Sequence, residues 1–135
     1  MKLPTDRYIL ECIFQMYERD YPGPTSISGR GENNPYVPVD LYAVAKEVGC
    51  SPELLFGRLY FHLNQKHRYK QENRTDISLF ELNVENKGHS VQFPYLASIL
   101  AGLNQEFRRQ LITYGVSFTA LGISIASLAV SILKL

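Results

Sequence analysis

The feature that most constrains this chain is an uncharged stretch near its C-terminus. The 24 residues between Arg109 and Lys134 carry no formal charge, and 11 of them are Leu, Ile, Val or Phe. A bilayer core about 30 Å thick is crossed by roughly 20 such residues in a helix. On the insertion scale the strongly apolar residues contribute about −3 to −7 kcal/mol, from which the small polar residues subtract some. We therefore predict a single transmembrane helix over residues 111–133.

Basic residues flank this predicted helix unequally. Arg108 and Arg109 precede it, whereas Lys134 alone follows it. Because positive charges stay on the cytoplasmic side, we expect a single-pass protein of the inner (cell) membrane with a cytoplasmic N-terminal domain. The first residues lack the apolar core of a secretory signal peptide. The alternative is the buried core helix of a soluble protein, although the rest of a 135-residue chain is short for surrounding so long an apolar helix.

Small and hydroxylated residues recur along one face of the predicted transmembrane helix. Their spacing of 4, 3, 4, 3 and 4 residues is a heptad pattern, which places them in one stripe. Helices in lipid approach each other closely at such residues, so we expect a homo-oligomer. The stripe serves either helix packing alone, with each hydroxyl bonded to the carbonyl four residues earlier, or the lining of a pore. This hydroxyl stripe consists of Thr113, Ser117, Ala120, Ser124, Ser127 and Ser131.

Capping residues mark the first helices of an N-terminal α+β domain. Thr5 or Asp6 begins a helix with apolar residues at helical spacing. Residues 22–38 are rich in Gly, Ser, Asn and Pro, which predicts an irregular loop with at most a short edge strand at its end. Asp40 then caps a short helix that Gly49 ends.

The next segments predict a winged helix-turn-helix domain. Ser51 offers a capping hydroxyl to another helix. Ala45, Gly49 and Leu55 follow the spacing Ala-x3-Gly-x5-Leu, which resembles the helix-turn-helix signature. Extended runs then begin at Tyr69 and cover residues 77–84 and 89–93, separated by turn residues. The predicted domain organisation is a winged-helix domain over 1–93 (with the irregular loop 22–38), a connecting helix over 94–110 and the transmembrane helix over 111–133.

A basic surface is predicted on the helix that follows Ser51. The net charge of +1 hides an asymmetry, because residues 1–57 hold eight acids and five Lys or Arg, whereas residues 58–135 hold nine Lys or Arg and five acids. No acid lies within residues 58–71. Cations spaced four apart share a helix face, and such a face is typical of phosphate binding. We predict nucleic-acid contacts for Arg58, His62, Lys66, Arg68, Lys70 and Arg74, with Asn64, Gln65 and His67 extending the surface.

Two features of this surface admit alternatives. Tyr60 and Phe61 offer a stacking face for single-stranded nucleic acid, although packing in the core is the expectation that we favour. The basic face itself is also compatible with a solvated surface of a winged helix that binds a protein.

Residues that carry catalytic or metal chemistry are sparse. Cys12 and Cys50 are expected to be reduced, small, buried residues, because two cysteines without acid and histidine partners form no site. The glycines of residues 29–31 lack the Lys-Ser/Thr of a phosphate-binding loop. The three histidines lack the spacing of metal ligands. We therefore expect no enzymatic activity, no cofactor and no metal.

The chain resembles a group of small bacterial proteins that combine a winged-helix-like domain with a terminal membrane segment. The resemblance lies in residues 39–63, 66–71 and 93–97. The layout is similar to that of small membrane effectors of bacterial antiphage defence, of the Hailong membrane effector type. The resemblance implies short DNA as the gating ligand, a nucleotidyltransferase as the partner protein that makes it, and depolarisation of the membrane as the output.

These patterns lead to one hypothesis with two alternatives. We expect an oligomeric membrane effector whose cytoplasmic domain binds nucleic acid and thereby controls a transmembrane pore. A membrane-tethered transcription regulator with an inert anchor is the first alternative, and a scaffold whose winged helix binds a protein is the second. The number of copies, the direction of gating and the choice between DNA, RNA and protein stay open at this point.

Overall fold

Helices dominate the fold, and short strands join them. The computed structural model describes residues 3–21, 35–70, 72, 76–82 and 88–135. The chain divides into two units, Met1–Leu100 and Ala101–Leu135. In chain order the elements are α1 (Asp6–Tyr17), β1 (Tyr36–Pro38), α2 (Leu41–Val48), α3 (Pro52–Gly57), a π-helical segment (Arg58–Leu63), α4 (Asn64–Lys66), β2 (Tyr69–Lys70), β3 (Asp76–Ile77), β4 (Phe80–Glu81), β5 (Ser90–Gln92) and α5 (Phe93–Leu133).

Side-chain caps begin the first three helices, as the sequence predicts. The Thr5 hydroxyl accepts a hydrogen bond from the Tyr8 amide at the start of α1. The Asp40 carboxylate accepts from two amides of α2, and the Ser51 hydroxyl accepts from one amide of α3. Gly49 ends α2 in the left-handed conformation, with φ 84°. Each cap satisfies backbone groups that a helix end leaves without partners, so the local sequence fixes these boundaries.

Residues 52–66 form an unbroken run of α3, the π-helical segment and α4, which we name the basic helix. The backbone N–H of Asn64 donates to the carbonyl of Leu59, five residues earlier, as in a π-helix. Leu55, Leu59 and Leu63 are spaced four apart and are buried, so they form the apolar face of this helix. The π-helical turn is a feature that the apolar spacing did not predict, and such turns occur frequently at functional sites.

A three-stranded antiparallel sheet with the order β1-β5-β4 closes the domain. Val91 of β5 lies opposite both Val37 of β1 and Phe80 of β4, and all three side chains are buried. The short strand β1 lies at the edge of the sheet, as predicted for the end of residues 22–38. Residues 22–34 of the predicted irregular loop lie outside the described residues.

The extended run predicted over residues 77–84 is not one strand. Its first part, β3, pairs with β2 in a separate two-stranded sheet, whereas β4 pairs with β5. Leu79 and Phe80 are consecutive and are both buried. Successive side chains of a regular strand point to opposite faces, so burying both requires the backbone to break between Ile77 and Phe80. Residues 83–84 lie outside the described part of the chain.

The interior of the first unit combines α1, α2, the basic helix, the sheet and the start of α5. Phe93 stacks on Phe14 with ring centroids 5.2 Å apart, and its neighbour Leu96 is fully buried. Cys12 is buried as expected, whereas Cys50 is only half-buried, and both are free thiols. Apolar packing of this kind, at about 25 cal/mol per Å², is the main stabilising contribution to the domain.

The helix α5 contains a candidate membrane span. It comprises 41 residues, and its most apolar 18-residue window is 0% buried. Among the described residues it is the one helix long and apolar enough to cross a membrane. A buried core helix, the alternative considered from the sequence, would have this apolar surface covered. The chain therefore has the composition of a single-pass membrane protein, while its cytoplasmic orientation stays a prediction.

Candidate functional site

Three of the residues predicted to contact nucleic acid meet at Asp6. The Arg58 guanidinium donates from Nη2 to Asp6 Oδ1. His62 Nε2 lies 3.2 Å from Asp6 Oδ2, and Lys66 Nζ lies 3.7 Å from the same oxygen. We name these four side chains the Asp6 cluster. Its cations come from the basic helix, whereas its carboxylate comes from α1, so two elements are needed to form it.

The spacing of the basic helix explains how its cations reach one carboxylate. Arg58, His62 and Lys66 follow each other at intervals of four residues, which keeps them on one side of the helix. Asp6 lies in the first turn of α1, where an acid also stabilises the positive end of the helix dipole. The side chain of Asp6 is 19% exposed, whereas that of Lys66 is 52% exposed. The carboxylate is thus the enclosed centre, and the cations extend from it into solvent.

Asp6 keeps its negative charge at neutral pH. Burial raises the pKa of its carboxyl, but hydrogen bonds and charge interactions from Arg58 and His62 outweigh burial and hold the pKa below the ordinary value of 3.8. One carboxylate faces the two permanent cations Arg58 and Lys66. The Asp6 cluster therefore retains a surplus of positive charge.

The other predicted contacts lie apart from this cluster. Arg68 Nε is 3.5 Å from Asp76 Oδ2, and Lys70 of β2 lies opposite Asp76 in the β2–β3 pair. Arg74 lies outside the described residues. The absence of acids within residues 58–71 predicted a face without negative charge. The fold instead brings in Asp6 and Asp76 from other segments, so the local sequence understated how far the cations are paired.

The two aromatic residues of the π-helical segment have different environments. The Tyr60 ring packs against Phe56, with centroids 4.6 Å apart, and its hydroxyl shares a 2.8 Å hydrogen bond with His89 Nδ1. Burial, together with Glu81, raises the pKa of Tyr60 to about 12, so this hydroxyl stays protonated. Phe61 is 75% exposed. The expectation of core packing is therefore right for Tyr60 and wrong for Phe61.

Two residues expected to extend the basic surface serve the fold instead. The side chain of Asn64 donates from Nδ2 to the Phe80 carbonyl and accepts at Oδ1 from the Phe80 backbone N–H, so it connects the basic helix to β4. The carbonyl of His67 accepts a hydrogen bond from the Tyr95 hydroxyl. Burial, followed by the charge of Lys66, lowers the pKa of His67, which favours its neutral form. Gln65, in contrast, is exposed as expected.

Four of the five hydroxyls of the stripe on α5 form a hydrogen bond within their own helix. Thr113, Ser117 and Ser124 each donate to the carbonyl four residues earlier, over 2.9 Å. Ser131 does the same over 3.0 Å. This is the bonding expected for the packing interpretation of the stripe. The hydroxyl oxygens nevertheless keep lone pairs that can accept a hydrogen bond from a neighbouring helix or from water.

Within the described part of the chain, no group of three or more His, Cys, Asp or Glu side chains could hold a metal ion. Comparison with models of protein families, with curated proteins and with solved structures finds no match. The functional assignment therefore depends on the geometry of the Asp6 cluster and on the composition of α5.

Proposed function

We propose that this chain is a membrane-anchored regulator of winged-helix type that binds short nucleic acid, most readily DNA, and thereby controls an oligomeric transmembrane pore. The observation that carries the proposal is the row formed by Arg58, His62 and Lys66 on one side of the basic helix. Phosphate binding requires such a row of donors and cations. Control of a pore in antiphage defence is the role that the resemblance described above implies.

The order and pairing of the elements support the winged-helix assignment. A helix, a strand and two helices precede the remaining short strands, and the first strand, β1, pairs with the last, β5. The basic helix follows α2 after a short turn at Gly49, as the second helix of a helix-turn-helix does. In such domains this second helix commonly presents its side chains to nucleic acid.

The chemistry of the exposed surface favours a flexible, single-stranded ligand. Phe61 is 75% exposed and follows Arg58 on the same helix. Exposed aromatic rings next to cations bind single strands by stacking on bases while the cations bind phosphates. A few phosphate contacts give modest affinity for one copy, which oligomerisation multiplies.

The C-terminal helix supports the membrane part of the proposal. Its apolar residues provide the anchor, and the hydroxyl stripe provides a face at which copies pack. One helix, Phe93–Leu133, carries both Leu96 and Leu100 of the domain interior and the candidate span. At the end of the basic helix the His67 carbonyl accepts a hydrogen bond from Tyr95 of this helix, so a change of state at the basic helix has a contact through which it reaches α5, as coupling in a two-state assembly requires.

The test is a titration of detergent-solubilised full-length protein with short single- and double-stranded DNA at several salt concentrations. Replacing Arg58→Gln and Lys66→Gln removes two charges but keeps hydrogen-bonding groups near Asp6. We expect the affinity to fall at least about tenfold and the salt dependence to weaken. The matched control is Arg19→Ala with Lys46→Ala, which removes two exposed charges elsewhere and should leave binding unchanged. Unaltered binding in the first variant would exclude the basic helix as the DNA contact.

A protein-binding adaptor is the second candidate, because Asp6 and Asp76 already neutralise part of the basic surface. Exposed aromatic rings at Tyr42 and Phe61 also suit a protein partner. Failure of the folded protein to bind any DNA at low salt would leave this candidate.

A further inference from the structure

The carboxylate of Asp6 lies where a bound anion would lie. Donors of Arg58, His62 and Lys66 converge on its two oxygens, Arg58 at Oδ1 and the other two at Oδ2. A ligand phosphate that uses these three side chains must therefore displace this carboxylate or share its partners. The resting site holds an internal competitor for its own ligand.

The charge of the incoming group decides that competition. An internal phosphodiester carries about one negative charge, as Asp6 does, so exchanging one for the other gains little Coulomb energy. A terminal phosphate carries about −1.5 to −2 at neutral pH. Since Arg58 and Lys66 alone supply two positive charges, a dianion in the place of Asp6 gains up to about twice the Coulomb energy that a monoanion gains from the same two cations.

The hydrogen-bonding capacity of Arg58 points to the same kind of ligand. Its Nε is buried and has no hydrogen-bond partner among the described residues, while its Nη2 donates to Asp6. The carboxylate thus leaves the buried Nε donor without an acceptor. A terminal phosphate brings three acceptor oxygens, and a guanidinium binds such a group with parallel donors.

We propose that the Asp6 cluster selects the terminal phosphate of a short oligonucleotide over internal phosphodiesters, because a dianion gains more from its two permanent cations and from the Arg58 Nε donor, while Asp6 is a built-in competitor that lowers the affinity for every anion. This inference rests on the proposed function and specifies the part of the nucleic acid that is recognised. Phe61 then stacks on a base near that end, and the neighbouring cations hold the following phosphates.

The experiment uses one short single-stranded DNA sequence with a 5′-phosphate, with a 3′-phosphate or with hydroxyls at both ends. A hydroxyl-ended oligomer two nucleotides longer matches the total charge of the phosphorylated forms. Binding to full-length protein in detergent is followed by fluorescence anisotropy at fixed salt. We expect one phosphorylated form to bind about tenfold more tightly than the charge-matched oligomer, as charge-assisted bonds to a dianion would give.

The variant Asp6→Asn tests the role of the competitor. Hydroxyl-ended and phosphorylated DNA should then both bind more tightly, by about threefold or more, while the preference for the terminal phosphate persists, because the cost of displacing Asp6 is the same for either anion. The matched control is Glu11→Gln, which removes a carboxylate of the same helix that pairs with Arg7 outside the Asp6 cluster and should leave the affinity unchanged.

The outcomes separate this inference from the proposed function. Equal binding of phosphorylated and charge-matched oligomers to wild type would overturn terminal-phosphate selection while leaving DNA binding intact. Unaltered affinity for every oligomer in a folded Asp6→Asn protein would overturn the role of Asp6 as a competitor. Absence of binding to every oligomer at low salt would overturn both proposals. The wild-type comparison does not depend on whether the variant folds.

Discussion

At the residue scale, Asp6 has a role that its neighbours in the sequence do not reveal. Its position beside Thr5 predicted a cap, and Thr5 is the residue that caps α1. The principal partner of Asp6 is Arg58, 52 residues away along the chain. Helical periodicity describes contacts within one or two turns. It could therefore predict the row of cations but not the carboxylate that they surround.

Asp6 should also make the stability of the folded domain depend on pH. Burial raises the pKa of the carboxyl, but hydrogen bonds and charges of Arg58 and His62 hold it below 3.8. A lowered folded-state pKa gives a contribution that is complete above the unfolded-state pKa and is lost as the pH falls through the folded-state value. We expect Asp6→Asn to cost about 1 kcal/mol at neutral pH, after allowance for solvent screening, and to remove this acid-sensitive contribution.

Thermal unfolding of the full chain in detergent, followed by circular dichroism between pH 7 and pH 3, measures this effect. The difference between wild type and variant should shrink below about pH 4, the unfolded-state range for Asp. A difference that is constant across this range would mean that the carboxylate contributes through packing rather than through charge.

At the element scale, the sequence predicted ends of helices better than pairing of strands. Caps at Thr5, Asp40 and Ser51 involve residues two or three positions apart, so the local sequence contains both partners. The break between β3 and β4 depends instead on a distant strand, β5, and on the side chain of Asn64. Neither partner is visible in the alternation of residues 77–84.

The turn between α2 and α3 provides a test of this local coding. Gly49 has φ 84°, which strains any residue with a Cβ, although open space surrounds the position. Gly49→Ala should therefore lower the free energy of unfolding by about 1 kcal/mol, because the left-handed conformation at the end of α2 is unfavourable for a residue with a Cβ.

Gly57 offers the matched control. It has a helical φ of −60°, and an added Cβ there would lie 4.0 Å from the Phe61 ring, an ordinary contact distance. Gly57→Ala should stabilise the domain by about 0.5–1 kcal/mol through helix propensity. Chemical or thermal denaturation measures the free energy of unfolding of both variants. Equal changes in the two variants would contradict a conformational origin for the effect of Gly49→Ala.

At the scale of the whole molecule, composition predicted the candidate membrane helix because hydrophobic length is a property of one continuous segment. What the domain binds was less accessible to sequence reasoning. Six cations were assigned to one surface, but the fold gathers Arg58, His62 and Lys66 at Asp6 and places Arg68 beside Asp76. The charge that this surface presents depends on how distant segments pair their side chains, and that pairing is set by tertiary structure.

Assembly of copies should depend on the hydroxyl stripe. Replacing Ser117, Ser124 and Ser127 by Leu fills the face at which helices approach, so we expect loss of cross-linked oligomers and of ion flux in liposomes. The control replaces Phe118, Ile125 and Ile132 by Leu, which changes exposed residues seven apart on another face. If the wild type forms oligomers but conducts no ions, the stripe is a packing face alone. If the variant with Leu at the three Ser positions cross-links as well as the wild type, the stripe is not the contact between helices.

The hydrogen bonds from the stripe to its own backbone have a consequence for how the proposed assembly depends on protein concentration. Four hydroxyls of the stripe donate to backbone carbonyls of their own helix, namely those of Thr113, Ser117, Ser124 and Ser131. In a single copy these four donors are therefore hydrogen-bonded even when they face hydrocarbon. On the proposed function, each new chain therefore diffuses in the bilayer as a monomer before it meets another copy. If the proposed oligomer forms, its assembly depends on the concentration of the chain, and we expect halving the gene dose to lower the number of complete assemblies by more than half.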